Sequence, residues 1–142
     1  MGTPENRATL ANSILALYQQ FGLDGVDLDW EYPGQNGNSG NGVSPDDAAN
    51  FLEFLHTLRS ALPPGAKITA ATQTVPFAGP DGSPRRDVSD FASVLDWVLI
   101  MNYDTWGCEW PPILIASSSP PFLPSHSASW MFTSVLSLPR LR

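Results

Sequence analysis

Helical and strand-like segments alternate along most of the chain, and this order limits the possible fold more than any other feature. The helical segments, where apolar residues recur at helical spacing, are residues 8–20, 44–65 and 87–97. The strand-like segments, with alternating or β-branched apolar residues, are residues 21–32, 67–75 and 97–104. A helix between successive strands makes those strands parallel and covers the sheet. The sequence therefore predicts an α/β fold with a parallel sheet buried on both sides.

The ends and core faces of the first two helices can be predicted from residue types. Gly22 is a plausible stop for the first helix, and Ser44 with Pro45 is a plausible start for the second. The core-facing residues predicted for the first helix are Leu10, Ile14 and Leu17. Those predicted for the second are Phe51, Leu55, Leu58 and Leu62.

Acidic and apolar residues alternate in the first strand, whose sequence over residues 24–33 is DGVDLDWEYP. Residues two apart on a strand share a face, so Asp27, Asp29 and Glu31 form one acidic row. The intervening apolar residues Val26, Leu28 and Trp30 point the other way, into apolar packing. Asp24 has the opposite parity and precedes the strand, which indicates a structural role at the turn. Carboxyl groups this close share protons, which allows one of them to serve as a general acid.

Two other interpretations of the acidic row remain open on the pattern alone. Acids at a strand end can bind a metal ion, although this run lacks the Gly and Glu positions of a calcium loop. The row can also be a solvated face of an exposed sheet. Catalysis and these alternatives have similar weight until the motif as a whole is considered.

The motif DGVDLDWE resembles the D-x-x-D-x-D-x-E pattern of family 18 glycoside hydrolases, and DWEYP matches its usual continuation. This family includes chitinases, related endo-β-N-acetylglucosaminidases and inactive lectin-like relatives. MNYD at residues 101–104 is similar to the family's M-x-Y-D on a later strand, and MNYDTWG is similar to fungal-type chitinases. The resemblance covers roughly residues 8–107.

The resemblance implies a TIM barrel, with its site at the carboxyl ends of the strands. This chain would supply about strands four to six with their helices, as a partial (β/α)8 barrel. Residues 1–107 are thus expected to be part of a catalytic domain. Residues 108–142 are rich in Pro and Ser without a clear period, and they are expected to be an irregular, disordered or misread tail.

The resemblance also implies a role for each acid in the row. Glu31 would be the general acid that protonates the glycosidic oxygen, and the substrate's own N-acetyl oxygen would be the nucleophile. Asp29 would orient the acetamido group, and Asp27 behind it would tune the shared proton. The Glu31–Tyr32 peptide bond is expected to be cis.

Three residues of the later motif would contact the sugar. Tyr103 would donate its hydroxyl to the acetamido oxygen, Met101 would share its inward face, and Asp104 would complete the polar rim. Without the acidic strand, core packing would be the better interpretation of Met101 and Tyr103.

Composition and charge argue against some classes of binding partner. The net charge of −7 gives no electrostatic reason to bind nucleic acid or an anionic membrane, and no apolar run is long enough to span a bilayer. Cys108 is the single cysteine, and no residue spacing suggests a metal site or a cofactor. The polar start, MGTPENRATL, is not expected to be a secretion signal, but a parent enzyme acting on chitin is expected to be secreted or extracellular.

The sequence therefore predicts a chitinase-like glycosidase that acts on chitin or N-acetylglucosamine oligosaccharides. The alternatives are a lectin-like relative that holds chitin without cutting it, and an inactive truncated fragment. Little hydrolysis is expected from the 142-residue chain as written, because the other strands of a barrel have no counterpart in it.

Overall fold

The computed structural model describes residues 1–37, 42–75 and 77–103, together with the backbone of residues 135–137. Helices and strands alternate up to residue 100, as predicted. The elements in chain order are α1 (Pro4–Phe21), β1 (Gly25–Leu28), α2 (Asp47–Ala61), β2 (Lys67–Thr72), α3 (Ser89–Ala92), β3 (Trp97–Ile100) and β4 (Val135–Ser137).

The three predicted strands pair in parallel, in the order β1, β2, β3. Their register places Asp27 beside Thr69, and Thr69 beside Trp97. Side chains in register lie on the same face of a sheet, so these three residues form a row across the strands. The carboxyl ends of β1, β2 and β3 meet at one edge, which is where a parallel α/β protein places its functional groups.

Strand β4 differs from the prediction of an irregular tail after residue 107. Its backbone pairs antiparallel with β3, with Leu99 opposite Val135 and Trp97 opposite Ser137. The outer edge of β3 carries backbone N–H and C=O groups that a further strand can pair with, whatever the local sequence pattern. The rest of the predicted tail and the predicted domain boundary at residue 107 lie outside the described residues.

The core lies between the helices and one face of the sheet. The second-helix stripe is confirmed, because Phe51, Leu55, Leu58 and Leu62 are all buried. The main cluster also contains Ile68 and Ala70 of β2 and Val98 of β3, and the partly buried Val26 and Leu28 of β1 pack against it.

The predicted core face of α1 is wrong by about one residue. Leu10 and Leu17 are 40% and 50% exposed, whereas Ala11 is buried and Ile14 half-buried. The residues that pack on the core are Ala11, Ile14, Leu15 and Tyr18, which also follow a helical spacing. The small side chain of Ala11 lets α1 approach its neighbours closely, and this tertiary contact decides which face turns inward.

Both later helices are shorter than predicted. Helix α2 begins at Asp47 rather than Pro45, because Ser44 accepts the N–H groups of Asp46 and Asp47 and forms a turn before the helix. Helix α3 ends at Ala92. The backbone carbonyl of Val94 accepts hydrogen bonds from the Arg59 guanidinium, which holds the chain beyond α3 in a non-helical conformation.

An ion pair ties the amino ends of β2 and β3 to α2. Arg59 donates to the Asp96 carboxylate at 2.7 Å, and the backbone N–H of Ile68 and the Lys67 ammonium donate to it at 3.0 and 3.2 Å. Burial opposes the charge on Asp96, but these donors outweigh it and lower the pKa of the carboxyl from 3.8 to about 2.

We expect this ion pair to make the stability of the protein fall in acid. The pKa of Asp96 is lower in the folded state, so its contribution is complete above the ordinary pKa of 3.8 and is lost as the pH falls toward about 2. The lowering of the pKa corresponds to about 2 kcal/mol of stability. Water screens this contribution little, because the Asp96 side chain is only 8% exposed. Urea unfolding measured between about pH 6 and pH 2 will test this.

The matched variants are Asp96→Asn and Asp46→Asn. The first should lower the free energy of unfolding near neutral pH and flatten its acid dependence. The second removes the charge of an exposed carboxylate at the N-cap of α2, where the helix dipole gives it a small effect only, so it should change both quantities much less than Asp96→Asn does. Identical acid profiles for the wild type and Asp96→Asn would contradict the assignment.

Candidate functional site

Strand β1 begins with a close approach to β2. A Cβ on Gly25 would lie 2.6 Å from the Cβ of Lys67, so glycine is needed here for the strands to pair. The backbone carbonyl of Asp24 accepts the N–H of Lys67 at 3.0 Å, while the Asp24 side chain is exposed. The backbone of Asp24 thus takes part in the pairing at the entry to the strand, and a structural role of its side chain stays a prediction.

Asp27 is bound to the neighbouring strand. The hydroxyl of Thr69, a buried residue in register with Asp27, donates a hydrogen bond to its carboxylate. The Asp27 side chain is otherwise exposed. Its orientation is therefore set by β2 and not by its own strand.

Asp29 and Glu31 follow the last residue of β1. Between them, Trp30 packs edge-on against Phe51 of α2, with ring centroids 5.5 Å apart. Asp29 is exposed and Glu31 half-buried. They border an open cleft of about 540 Å³ whose lining is completed by Met1, Leu10, Leu28, Trp30, Phe51 and Phe54.

The loop after Glu31 is anchored to the start of α2. The carboxylate of Asp47 accepts the N–H of Ser44 at 2.8 Å and that of Gly34 at 3.3 Å, so it holds both ends of the loop. Gly34 has φ of 74°, a left-handed conformation that favours glycine. Gly37 lies against the backbone carbonyl of Glu31 with no room for a Cβ. The Glu31–Tyr32 peptide bond is cis, as expected from the resemblance.

Tyr32 lies beside both acids. Burial raises the pKa of its phenol, and the charge of Glu31, a hydrogen bond to Glu31 and the charge of Asp29 raise it further. A hydrogen bond with Gln73, the residue after β2, acts in the opposite direction. The phenol therefore stays protonated near neutral pH and can donate a hydrogen bond.

The residues of the later motif follow β3. The backbone N–H of Met101 donates to the carbonyl of Thr72 at 2.8 Å, which extends the pairing of β2 with β3. Tyr103 is 56% exposed. Asp104 lies outside the described residues, and the convergence of Tyr103 with the acidic row stays a prediction.

Several features of the described residues bear on other functions. Within residues 1–37, 42–75 and 77–103, no cluster of three or more His, Cys, Asp and Glu side chains could hold a metal ion. His56 is exposed on α2. The described helices include none with the length and apolarity needed to cross a membrane.

Three residues near the acids were not predicted from the sequence. Thr69 and Gln73 lie near the acids only because β2 pairs with β1. Asp47 lies near them because the loop between β1 and α2 folds back, so that Asp47 binds Gly34 near its start. The one available signal was that β2 is parallel to β1, since its carboxyl end then meets the acids. The residue-level pairing could not be read from the pattern.

Comparison with known families gives a match over nearly the whole chain. The sequence model of glycosyl hydrolases family 18 matches residues 1–133. A chitinase-like effector from Moniliophthora roreri is 41% identical over 109 residues, which cover 75% of this chain and 26% of the relative. The chain thus spans about a quarter of the length of this relative.

Solved structures agree with this match. A chitinase from Rhizomucor miehei superimposes with a TM-score of 0.70 and 31% identity, over 74% of this chain and 29% of that one. The second catalytic domain of the Group II chitinase from Ostrinia furnacalis, a mutant in complex with penta-N-acetylchitooctaose, gives a TM-score of 0.55 and 26% identity. That match covers 72% of this chain and 26% of that structure.

We expect Gly37→Ala to displace the backbone at Glu31, because the added methyl group would collide with the Glu31 carbonyl oxygen. The cost should be about 1–3 kcal/mol in the free energy of unfolding. Urea denaturation followed by far-ultraviolet circular dichroism will measure it. Gly42→Ala, in the same loop with nothing within 4 Å of the added atom, is the control and should be nearly neutral. Equal stability of the two variants would show that the contact is unimportant.

Proposed function

Since this chain belongs to glycosyl hydrolase family 18, we propose that it carries the acidic part of a site that hydrolyses β-1,4-linked N-acetylglucosamine polymers. The observation that supports this most is the placement of Glu31. It lies half-buried after the carboxyl end of the parallel strand β1, next to Asp29 and an open cleft. Enzymes with a (β/α)8 barrel place their catalytic groups at this end of the strands.

Within such a barrel, we assign β1, β2 and β3 to strands four, five and six. The assignment is supported by the order of the two motifs and by the parallel pairing of the three strands. Residues 1–107 would then belong to the catalytic domain. The chain spans about a quarter of the length of the Moniliophthora roreri and Rhizomucor miehei relatives. The remaining strands of the barrel and the activity of the whole protein are therefore part of the proposal.

The chemistry proposed for the acids is substrate-assisted and retaining. Glu31 protonates the glycosidic oxygen, while the carbonyl oxygen of the substrate's N-acetyl group attacks the anomeric carbon. Asp29 accepts a hydrogen bond from the acetamido N–H and stabilises the positive charge that develops on the ring formed. Asp27, held by Thr69, lies two residues before Asp29, and its proposed role is to tune a proton shared with Asp29.

The later motif is proposed to complete the sugar pocket. Tyr103 would donate its hydroxyl to the acetamido oxygen, with Met101 on the same face of the strand and Asp104 on the rim. The exposure of Tyr103 leaves its hydroxyl accessible to a ligand. The substrate is then a chitin or N-acetylglucosamine oligosaccharide. The parent protein is proposed to act outside the cell, because a chitin polymer cannot cross a membrane.

A second candidate function is chitin binding without cleavage. The relative from Moniliophthora roreri is described as a chitinase-like effector and not as a chitinase. The presence of Glu31 favours hydrolysis, because a protein that only binds the sugar has no need of a general acid. Turnover and binding must therefore be measured separately.

In the complete catalytic domain, we expect Glu31→Gln to abolish turnover and leave binding of N-acetylglucosamine oligosaccharides nearly unchanged. The amide keeps the shape of the side chain but cannot supply the proton, and loss of a general acid costs about 100-fold to 10,000-fold in rate. Release of reducing ends and calorimetric binding will measure the two quantities. Glu53→Gln, on an exposed part of α2, is the matched control. Undiminished turnover by Glu31→Gln would rule out the proposed acid.

We expect hydrolysis to require the N-acetyl group of the substrate. A polymer of glucose, or fully deacetylated chitin, lacks the internal nucleophile and should not be cut. Incubating the complete domain with matched oligosaccharides that differ only in acetylation, followed by mass spectrometry, will measure this. Efficient cleavage of the deacetylated oligosaccharide would refute the substrate-assisted mechanism, even if Glu31 proved essential.

A further inference from the structure

The hydroxyl of Thr69 has two acceptors within reach on the neighbouring strand. It donates to the carboxylate of Asp27, the residue in register with it, and its oxygen lies 3.5 Å from the backbone carbonyl oxygen of Val26. Thr69 is only 5% exposed, so its side chain is packed between the strands that flank β2. Because a hydroxyl carries a single proton, it can serve only one of these two oxygens at a time.

The protonation state of Asp27 decides which oxygen is served. A charge-assisted hydrogen bond is about twice as strong as a neutral one, so the Thr69 proton goes to Asp27 while the carboxylate is charged. The contact with Val26 is longer than a usual O–H···O bond, which agrees with this choice. A protonated Asp27 can instead donate to the Thr69 oxygen, and the Thr69 proton then turns to the Val26 carbonyl. This change is a rotation about the Cβ–Oγ1 bond, and no proton passes between the two residues.

A hydroxyl is suited to this position because it can both donate and accept. An ammonium group or a backbone N–H can only donate, and it therefore favours the charged form of a carboxyl group. A backbone carbonyl can only accept, and it favours the protonated form. The mechanism proposed above requires both forms of Asp27, since this carboxyl is to share a proton with Asp29.

We propose that Thr69 is a positioning residue for Asp27, and that its hydroxyl holds this carboxyl in one orientation with and without the shared proton. While the proton is on Asp29, Asp27 is charged and accepts from Thr69. When the proton moves to Asp27, Asp27 donates to Thr69. The role of Thr69 rests on the proposed function, and it adds to the site a residue of β2 that neither motif contains.

The surroundings of Asp27 leave this task to Thr69. On β2, Lys67 shares the face of Thr69, but its ammonium group donates to Asp96 at 3.2 Å. The helices and the core lie on the opposite face of the sheet. In its own segment, the next acids are Asp29 and Glu31. Within the part of the chain that the structure describes, Thr69 is thus the side chain of β2 that binds Asp27.

The first test follows the backbone carbonyl of Val26 by carbon-13 nuclear magnetic resonance in the 142-residue chain. Between about pH 7 and about pH 3, where carboxyl groups take up protons, its signal should move downfield as the Thr69 hydroxyl turns to it. Thr69→Val keeps the branched shape without the hydroxyl and should lose this part of the change, whereas Thr69→Ser should retain it. An identical response of Val26 in the wild type and in Thr69→Val would overturn the inference.

The second test measures kinetics in the complete catalytic domain. In Thr69→Val, kcat should fall about tenfold to a hundredfold while KM stays nearly constant, because Thr69 positions an acid and does not contact the sugar. Thr69→Ser restores the hydroxyl and should recover most of the lost kcat.

The matched control is Thr72→Val, at the end of the same strand. Thr72 is also buried, but its hydroxyl has no hydrogen-bond partner among the described residues, so this variant should keep the wild-type kcat. Equal losses in Thr69→Val and Thr69→Ser, or a comparable loss in Thr72→Val, would assign the effect to packing and would overturn the inference.

The two tests separate the role of Thr69 from the proposed function. If the complete domain hydrolyses chitin and Glu31→Gln does not, the function stands, and wild-type kcat in Thr69→Val would overturn the positioning role alone. If the wild-type domain does not hydrolyse chitin, the proposed function fails and the catalytic role of Thr69 fails with it. The Val26 signal then still shows whether the hydroxyl reverses.

Discussion

The contact between Trp30 and Phe51 controls the orientation of the acidic segment. Trp30 follows the end of β1, where pairing with β2 no longer constrains the backbone. Its ring packs edge-on against Phe51, which in turn contacts Phe54, Phe77 and other aromatic rings. Trp30 is half-buried, and packing even part of a large aromatic ring contributes more than the net gain of one hydrogen bond. Its neighbours in the chain are consequently left at the border of the cleft.

The polar groups at the two ends of the sheet differ in how completely they are paired. At the amino end, Arg59 and Asp96 tie α2 to β2 and β3 through an ion pair that is largely shielded from water. At the carboxyl end, the polar groups are less completely paired with one another, and Asp29 is exposed. This division matches the barrel enzymes, in which one end of the strands supports stability and the other supports chemistry. A site can hold unpaired carboxylates only where other parts of the fold supply the stability.

How much could be predicted from the sequence depended on the distance over which each interaction acts. The alternation of Asp27 and Asp29 with apolar residues, and the stripe of Phe51, Leu55 and Leu58, are local patterns, and both predicted elements exist, although β1 ends at Leu28, before Asp29. The prediction of the core face of α1 was wrong, because Leu10 and Leu17 fit the helical period as well as the residues that pack on the core. Only the tertiary approach at Ala11 distinguishes the two faces.

The candidate site shows the same limit. The acids could be found because their type and spacing are written in one short stretch. The partners Thr69 and Gln73 are ordinary polar residues, and a strand of small and β-branched residues gives no reason to select them. Their importance follows from the register of β2 against β1, which is a property of the pairing and not of either strand alone.

The exposure of Asp29 means that its contribution depends on what covers the cleft. A carboxylate in water already has hydrogen bonds, so exchanging water for an acetamido N–H has a small net effect. The same bond becomes much stronger once water is excluded, because the local dielectric constant falls. A sugar ring that enters the cleft would bring both the N–H group and the apolar C–H surface that excludes the water. The described residues thus fix the positions of the carboxylates, and the ligand itself would complete the environment in which they act.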